Sequence, residues 1–381
     1  MQGTVLKLAA VATLLFGLAT PAAAQKKGEK LRLIRAETSR SALEKGQIVR
    51  RLAGDVLLRQ GELELACEEA TEYTAEGKTV FTGNVHIRDS RQQLWATKAV
   101  YYKHLRLFEA EGDVKIVDEQ TTMTADKAAY LQDERRVIGT GNVIVDNDAE
   151  HIRLMGGRLN YLRPEGYVKV TREPVLIQFD STGTEEMRIV GEQIEAFDNA
   201  DSVVVQKNVV ITRGETVARC GTAVYTTADE RIALMQEPEV VHEGDRLTGE
   251  RIDLYLDQRK VREVHVAGKA EYVAASDSTA VSGSENKLTG QDIRLFLRDG
   301  QVEKVVVNGT ATSIWNIVDA EGNFQGVNWT QGDRITILIE NKELQTIFVD
   351  SDPGLSKGKF TPPGFTSPAA TDTTTGRKGS Q

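Results

Sequence analysis

A six-residue block of alternating character recurs along the chain, reading small, polar, polar, apolar, any residue, apolar. Its first position is Ala, Gly or Cys, and its fourth is apolar, in all nine clear copies. Successive copies start 29, 29, 31, 35, 29, 29, 41 and 42 residues apart, and the recurring 29 indicates an internal repeat. The blocks are Cys67–Glu72, Ala96–Tyr101, Ala125–Tyr130, Gly156–Tyr161, Gly191–Ala196, Cys220–Tyr225, Gly249–Leu254, Gly290–Leu295 and Gly332–Ile337.

A second block, Gly-Asp/Asn-Val, falls between copies of the first. Its glycine suits a tight turn or a close approach of two backbones. The early copies, one 29-residue period apart, are Gly54-Asp55-Val56, Gly83-Asn84-Val85, Gly112-Asp113-Val114 and Gly141-Asn142-Val143. The weaker later copies are Glu173-Pro174-Val175, Lys207-Asn208-Val209, Pro238-Glu239-Val240, Gly268-Lys269-Ala270 and Gly309-Thr310-Ala311. A degenerate first copy of the six-residue block starts at Ala36.

The two blocks predict an all-β fold with at least two strands in each repeat. Alternation along a strand places the fourth and sixth positions on one face, as in Ile293 and Leu295. A repeat of this size cannot bury that face alone, so about nine repeats of roughly 29–42 residues must stack. We expect them to occupy residues 31–352, after a flexible lead at 25–30. The longer spacings predict loop insertions near 274–286 and 312–327, and the Pro-, Gly-, Ser- and Thr-rich residues 353–381 predict a disordered tail.

The N-terminal 24 residues have the layout of a cleavable signal peptide. Lys7 supplies a positive charge, Leu8–Ala19 an apolar run, and Ala22 and Ala24 the small residues before a cut at Gln25. The alternative is a retained membrane anchor, but the run is about 12 residues and a spanning helix needs roughly 20. We therefore expect a protein that is exported and soluble outside the cytoplasm, and the family resemblance given below implies the periplasm.

Composition favours a protein without catalytic or metal chemistry. The net charge of −9 and pI of about 5.3 argue against nucleic acid as a partner, because phosphate binding needs a basic surface. The five histidines occupy unlike places in the repeats, and none has metal-ligand spacing. No nucleophile elbow or phosphate loop occurs, which predicts a non-enzyme without cofactor. Acidic residues are plentiful, so a catalytic Asp/Glu pair stays open beside the interpretation of scattered surface acids.

The two cysteines hold the same position of the first block, five repeats apart. If the repeats stack regularly, Cys67 and Cys220 lie at least about 24 Å from each other, beyond the reach of a disulfide. We predict two small thiols lining the core. A disulfide remains the alternative for an exported protein with two cysteines.

The paired blocks resemble the OstA-like N-terminal family of periplasmic lipopolysaccharide-transport proteins. The resemblance rests on Ala125-Asp126-Lys127-Ala128-Ala129-Tyr130 with Gly139–Val143, and on Phe81-Thr82-Gly83-Asn84-Val85. It covers roughly residues 31–352 and is strongest from 50 to 145. The chain departs from the family in carrying about twice the repeats of one bridge module, which suggests two tandem modules meeting near 150–190, and in its two insertions and tail.

The resemblance implies an elongated, open, V-shaped β-jelly roll whose interior holds the acyl chains of lipopolysaccharide or a related acylated glycolipid. The implied partners are other OstA-like transport components, joined by end-to-end strand pairing, and further copies of the chain in a head-to-tail homo-oligomer. The candidate lipid-groove residues are Ala99, Tyr101, Ala128, Tyr130, Leu159, Tyr161, Ile194, Ala223, Tyr225, Ile252, Leu254, Ile293, Leu295, Ile335 and Ile337.

Other interpretations stay open at this point. The same apolar positions suit a filled core, and a closed β-solenoid would make the chain a surface structural protein or a polysaccharide-acting enzyme. A periplasmic scaffold whose groove binds a protein is a further alternative. The basic third-position residues are either a solvated face or contacts for lipid phosphates. They are Lys98, Lys127, Arg158, Arg251 and Arg334.

Overall fold

The chain folds into β-strands joined by short turns. This description comes from a computed structural model. It covers residues 31–118, 120–162, 164–197, 202–257, 260–275, 285–319, 323–340, 343–352 and 356–364. Within these ranges 26 strands and no α-helix are found, and no helix there has the length and apolar character to cross a membrane. The all-β prediction is confirmed. The signal peptide and the flexible lead lie outside the described residues.

The strands run from four to 18 residues in length. They are β1 Arg32–Arg35, β2 Thr38–Glu44, β3 Gln47–Gln60, β4 Leu63–Tyr73, β5 Lys78–Arg88, β6 Gln93–Tyr102, β7 Leu107–Val117, β8 Thr121–Leu131, β9 Arg136–Asn147, β10 Ile152–Leu162, β11 Tyr167–Thr171, β12 Val175–Phe179, β13 Glu185–Val190, β14 Gln193–Phe197, β15 Ser202–Arg213, β16 Thr216–Thr226, β17 Arg231–Met235, β18 Glu239–His242, β19 Asp245–Thr248, β20 Arg251–Asp257, β21 Lys260–Val273, β22 Lys287–Arg298, β23 Gln301–Val318, β24 Phe324–Glu340, β25 Glu343–Asp350 and β26 Lys357–Thr361.

The chain divides into two compact units. Unit 1 comprises residues 1–214 and 222–229, and unit 2 comprises 215–221 and 230–381. This division falls after the 150–190 region in which the sequence suggested a junction between tandem modules. Two tandem modules in the family's sense stay a prediction.

In unit 1, strands β3 to β10 pair each with the next in an antiparallel stack. Each pair changes register near its middle, as between Thr82 and Val85 of β5 opposite β6. The break coincides with two successive residues at positive φ, here Gly83 at 78° and Asn84 at 48°. The strands that carry such a pair, β3, β5, β7 and β9, are therefore bent into two arms, and their partner strands follow them on either side of the register break. Hairpin turns alternate between the two arm ends. This is the β-jelly-roll strand arrangement that the family resemblance implied.

The bend explains the second sequence block, and it corrects two of its weaker copies. The positive-φ pairs are Arg172-Glu173 and Gln236-Glu237, not Glu173-Pro174 or Pro238-Glu239. Proline cannot adopt positive φ because its ring fixes φ near −65°, so the pair must precede it. At both places the strand splits in two, into β11 and β12 and into β17 and β18.

Unit 2 contains the longest hairpins of the chain. Strands β21, β22, β23 and β24 pair successively and antiparallel, with the same register break at Gly268-Lys269 and Gly309-Thr310. Antiparallel hairpins differ from the parallel coils of a β-helix, and this argues against the closed β-solenoid.

The predicted loop at 312–327 is wrong for most of its length. Residues 312–318 belong to β23 and 324–327 to β24, and they pair from Thr312–Gln331 to Val318–Phe324. The physical reason is the high strand propensity of Ile314, Trp315 and Ile317, which extends an existing hairpin where the spacing suggested an insertion. Of the other insertion, Ala274 donates its N–H to the Asn286 carbonyl at 2.9 Å, and 276–284 lie outside the described residues.

The predicted disordered tail contains a strand. Lys357–Thr361 forms β26, which pairs antiparallel with Val327–Gln331 of β24. An edge strand needs only backbone groups to pair, so a segment with little apolar content still joins the sheet. That part of the tail prediction is wrong, and residues 365–381 lie outside the described residues.

Candidate functional site

The first position of the repeated block must be small because it faces a valine of the next strand. A Cβ placed on Gly249, Gly290 or Gly332 would lie 2.6 Å from the Cγ1 of Val266, Val307 or Val349 respectively. Carbon atoms in van der Waals contact stand about 3.5–4.0 Å apart. Where the position is Ala or Cys, as in Cys67, Ala96 and Ala125, the side chain is buried. The position therefore sets how closely neighbouring strands pack around the interior.

The fourth position is buried in all nine blocks. Its exposed fraction is 6% or less throughout, and it is 0% at Leu159, Ile252, Ile293 and Ile335. In unit 2 these side chains form a row across three strands, since Ile293 pairs with Val307 and Val307 with Ile335. Within each unit the fourth positions thus form the centre of the apolar interior.

The sixth position is less uniform. Tyr130, Tyr161, Ala196, Leu295 and Ile337 are buried. The remaining apolar members are half-buried, namely Tyr101, Tyr225 and Leu254. The side chains at the fourth position are consequently inaccessible to solvent, whereas some of those at the sixth position are partly accessible to it.

The candidate groove residues divide between the two units. Unit 1 holds Ala99, Tyr101, Ala128, Tyr130, Leu159, Tyr161, Ile194, Ala223 and Tyr225. Unit 2 holds Ile252, Leu254, Ile293, Leu295, Ile335 and Ile337. All lie on strands and none is fully exposed, so their burial fits a filled core and the walls of an open groove equally well. Their role as a lipid groove stays a prediction.

The basic third-position residues lie outside this interior, mostly against polar neighbours. Lys127 and Lys98 approach Glu111 at 2.6 and 3.9 Å, and Arg251 donates to Asp253 at 2.8 Å. Arg334 donates to the Asn308 carbonyl oxygen Oδ1 at 2.7 Å. The paired carboxylate holds the pKa of Lys127 above its ordinary value. These pairs fit the solvated-face interpretation better than a phosphate-binding role.

Two surface cavities of the described residues are lined mostly by polar and charged residues. One of about 420 Å³ is lined by the Arg59–Glu64–Arg88 ion-pair cluster. The other, of about 280 Å³, lies beside Lys78 and Tyr102. Neither is lined by a fourth- or sixth-position residue, so the apolar interior is not open to solvent at these places.

Histidines and cysteines occupy structural positions. His86 stacks on Trp95 at 4.9 Å between ring centres, and His242 Nδ1 lies 2.9 Å from the Thr216 hydroxyl. Cys67 and Cys220 are both buried and neither forms a disulfide, as predicted for thiols lining the core. Burial raises the pKa of the Cys67 thiol to about 11, helped by the nearby charges of Glu68 and Glu69. In the described part of the chain, no three His, Cys, Asp or Glu side chains group as a metal site.

Two strand edges carry exposed apolar side chains. In the described chain, β1 and β2 pair only with β3, and Leu43 of β2 is 77% exposed. At the other end of the sequence β25 and β26 pair only with β24, and Phe348 and Phe360 are 51% and 52% exposed. An unpaired edge beside apolar surface is a template for adding another strand.

Sequence reasoning missed a recurrent polar contact at the bend. The side-chain amide of an asparagine in or next to the positive-φ pair donates to a carboxylate 16 residues earlier, as from Asn84 to Glu68 at 2.7 Å. The same contact joins Asn142 to Asp126, Asn208 to Glu192 and Asn308 to Asp292. The signal was present in the two blocks, because the acidic second or third position of one and the Asn of the other recur at that constant offset.

Comparison with known proteins confirms the resemblance carried by the repeated blocks. The model of the family described as "LptA/(LptD N-terminal domain) LPS transport protein" matches residues 69–167 and 109–260, which together span half of the chain. No curated protein matches the sequence. Among solved structures, the crystal structure of LptH is similar over 30% of this chain and 83% of its own, at 16% identity and a TM-score of 0.26. LptH is described as the LptA homologous periplasmic component of the conserved lipopolysaccharide transport device from Pseudomonas aeruginosa.

Proposed function

The chain belongs to the LptA/(LptD N-terminal domain) LPS transport protein family, and on this premise we propose that it is a periplasmic protein that binds lipopolysaccharide and bridges it between the inner and outer membranes. The cargo is lipopolysaccharide or a related acylated glycolipid. Its acyl chains lie in the interior formed by the fourth and sixth positions of the repeats. The protein performs transport and no chemical reaction.

One observation carries the proposal for the interior. Every repeat contributes a buried apolar fourth position. These positions lie on every second strand, and a buried apolar residue of the strand between pairs with both, as Val307 does with Ile293 and Ile335. A stack of bent strands whose interior is apolar along its length suits acyl chains, because their transfer from water is favourable by about 0.8 kcal/mol per buried CH₂ group. Half-buried Tyr101 and Tyr225 mark where this interior meets solvent.

The proposed partners follow from the two edges. A strand added to β1 and β2, or to β25 and β26, would extend the stack by backbone hydrogen bonds alone. Partners with a matching edge are other members of this family and a second copy of this chain in head-to-tail order. Such joining would continue the apolar interior from one protein to the next.

Photocrosslinking at two adjacent tyrosines tests the cargo and its place. Tyr101 is a sixth-position residue, and Tyr102 next to it points to the opposite face, where Lys78 lies 5.8 Å from its ring centre. Replacing either tyrosine with the photoreactive residue benzoylphenylalanine keeps a large aromatic group. We expect Tyr101→benzoylphenylalanine to crosslink lipopolysaccharide on irradiation in a Gram-negative envelope, and the variant at Tyr102 to give little.

The outcomes separate the candidate functions. Equal crosslinking at both positions indicates adsorption to the outer surface and contradicts the groove. Crosslinks to protein alone at Tyr101 indicate a scaffold whose interior binds a polypeptide. A folded protein that gives no lipid adduct at Tyr101, and that also binds no added lipopolysaccharide, contradicts the transport proposal.

A further inference from the structure

The inward face of unit 1 changes from apolar to polar at one arm end. On β6 and its preceding turn the buried residues alternate as Gln92, Leu94 and Ala96. On β8 the same face presents Thr121, Met123 and Ala125. On each strand the outermost buried side chain, and only that one of the three, carries a hydrogen-bonding group.

The next strands continue this row. On β9 the outermost buried residue is Asn147, beyond Val143 and Val145, and on β12 it is Gln178, beyond Leu176. Thr121 pairs directly with Asn147, and Ile152 pairs with both Asn147 and Gln178. Neighbouring strands lie about 4.8 Å apart, so the four side chains lie in one row at the same end of the interior, in which Ile152 of β10 separates Asn147 from Gln178 and β7 lies between Gln92 and Thr121.

One polar atom of each side chain in the row lacks a partner among the described residues. Gln92, Thr121, Asn147 and Gln178 are 6%, 4%, 1% and 5% exposed. Among the described groups no hydrogen-bond partner exists for Gln92 Oε1, the Thr121 hydroxyl, Asn147 Nδ2 or Gln178 Nε2. Buried polar groups in native proteins are nearly always hydrogen-bonded, so four such atoms without partners at one end of the interior call for a ligand that supplies them.

The backbone around the row is fixed by the turns themselves. Asp89 Oδ1 accepts the N–H of Gln92 at 2.9 Å, and Asp118 Oδ1 accepts that of Thr121 at 2.8 Å. Asn147 Oδ1 likewise accepts the N–H of Glu150 at 3.0 Å, which leaves its Nδ2 to point elsewhere. Asp89, Asp118 and Asn147 recur at the 29-residue period, so Gln92 and Thr121 stand at the same place in equivalent turns, whereas Asn147 occupies the place of the two aspartates.

We propose that Gln92, Thr121, Asn147 and Gln178 form a polar subsite that binds the amide, ester and hydroxyl groups at the headgroup end of the acyl chains. The inference rests on the proposed lipid-carrying function. The row offers donors and acceptors together, which matches an amide or a hydroxylated acyl chain, whereas a plain hydrocarbon chain leaves the row unpaired. The subsite therefore selects acylated glycolipids over simple fatty acids.

Isosteric substitutions in the full chain test this subsite. Thr121→Val and Gln92→Met remove polar atoms at nearly constant volume, and Thr122→Val is the matched control because Thr122 points to the opposite face of β8. We expect each row variant to weaken binding of purified lipopolysaccharide about tenfold, the effect of one lost hydrogen bond. Binding of the fluorescent fatty acid cis-parinaric acid, and binding of both lipids by the control, should stay unchanged.

Thermal unfolding measured beside binding separates a ligand role from a structural one. Removing an unpaired buried polar atom leaves the midpoint of the lipid-free protein unchanged or raises it, as the proposal requires. Variants that lower the midpoint and lose both lipids show a structural row and overturn the subsite. Variants that bind lipopolysaccharide like the unsubstituted protein also overturn it, while the transport function stands. An unsubstituted protein that binds neither lipid overturns both.

Discussion

At the residue scale, the most constrained position of the repeat is the small first residue. Gly249, Gly290 and Gly332 each face a valine, with no room for one further carbon atom. The larger apolar residues of the block sit three and five positions later, where the neighbouring strands leave space for Ile or Leu. Packing of adjacent strands therefore explains why a degenerate block keeps one nearly invariant feature along the chain.

A single added methyl group at Gly290 should destabilise unit 2. A Cβ there would lie 2.6 Å from Val307 Cγ1 and 2.8 Å from the Asn308 carbonyl oxygen. We expect Gly290→Ala to lower the free energy of unfolding by about 2 kcal/mol, measured by urea denaturation. Gly358→Ala is the control, because nothing lies within 4 Å of its Cβ position. The double variant with Val307→Ala should lose less unfolding free energy than the two single variants added together, because Val307 Cγ1 is the atom that the new Cβ would meet. Strict additivity would contradict this packing argument.

The buried thiol of Cys67 makes stability depend on pH in the alkaline range. Burial raises its pKa from 9.0 to about 11. The folded state thus favours the protonated thiol, and its contribution to stability is present below pH 9 and is lost as pH rises towards 11. We expect Cys67→Ala to reduce the loss of unfolding free energy between pH 8 and 11 by about 1 kcal/mol, a value discounted for partial solvent screening. An identical pH profile for both proteins would show that the thiol does not contribute.

At the element scale, the bent strand is the structural unit of the fold. Two successive residues at positive φ bend every second strand of the stack into two arms, and Asn, Asp and Gly populate that conformation more readily than other residues. The Asn84–Glu68 hydrogen bond then ties the bend to the neighbouring strand. In the two copies followed by proline, Arg172-Glu173 and Gln236-Glu237, the bend persists but the strand is interrupted, whereas β15 continues through Lys207-Asn208.

Two glycines with the same φ separate backbone strain from crowding at the bend. Gly83 and Gly46 both have φ of 78°, but a Cβ on Gly83 would lie 2.5 Å from Glu68 Cδ and one on Gly46 would meet nothing within 4 Å. We expect Gly46→Ala to lower the free energy of unfolding by about 1 kcal/mol through strain alone. Gly83→Ala should lower it by about 2 kcal/mol, because Glu68 must also move away from Asn84. Equal losses for the two variants in urea denaturation would show that the Glu68 contact does not stabilise the bend.

At the scale of the whole molecule, periodicity predicted the strand stack because each repeat must bury its apolar face on a neighbour. The fourth positions were found from the sequence, and all nine are buried. The longer spacing between blocks does not show whether the extra residues lengthen a hairpin or form a loop. The sequence therefore predicts an insertion at Thr312–Val327, where the structure has a longer hairpin. Strand β26 was not predicted because edge pairing uses backbone groups, which every residue except proline supplies and composition does not reveal.

The polar row could not be predicted from the sequence, for a different reason. Gln92, Thr121, Asn147 and Gln178 differ in residue type and lie next to turns, where polar residues are ordinarily solvent-exposed. Their burial follows from the pairing of the strands that they end or precede, and only the structure gives that pairing. What the sequence did contain was the 29-residue recurrence of Asp89, Asp118 and Asn147 at these turns.

The proposed end-to-end assembly depends on the unpaired edge of β2. Leu43 on that edge is 77% exposed, while Leu105, similarly exposed at 67%, lies in the turn between β6 and β7 away from any edge. Natural sheets block edge pairing by placing charged residues, especially lysine, on the edge strand. Leu43→Lys should therefore weaken head-to-tail association of the chain about tenfold or more in analytical ultracentrifugation, whereas Leu105→Lys should leave it unchanged.

The opposite edge offers the reciprocal test. In a head-to-tail contact the edge of β1 and β2 on one copy meets that of β25 and β26 on the next, so Phe348→Lys should weaken association as Leu43→Lys does. Each variant should retain one intact edge, and a mixture of the two should form dimers through those edges but no longer chains. Equal weakening by Leu105→Lys would indicate that general apolar contact, and not strand addition at these edges, holds the copies together.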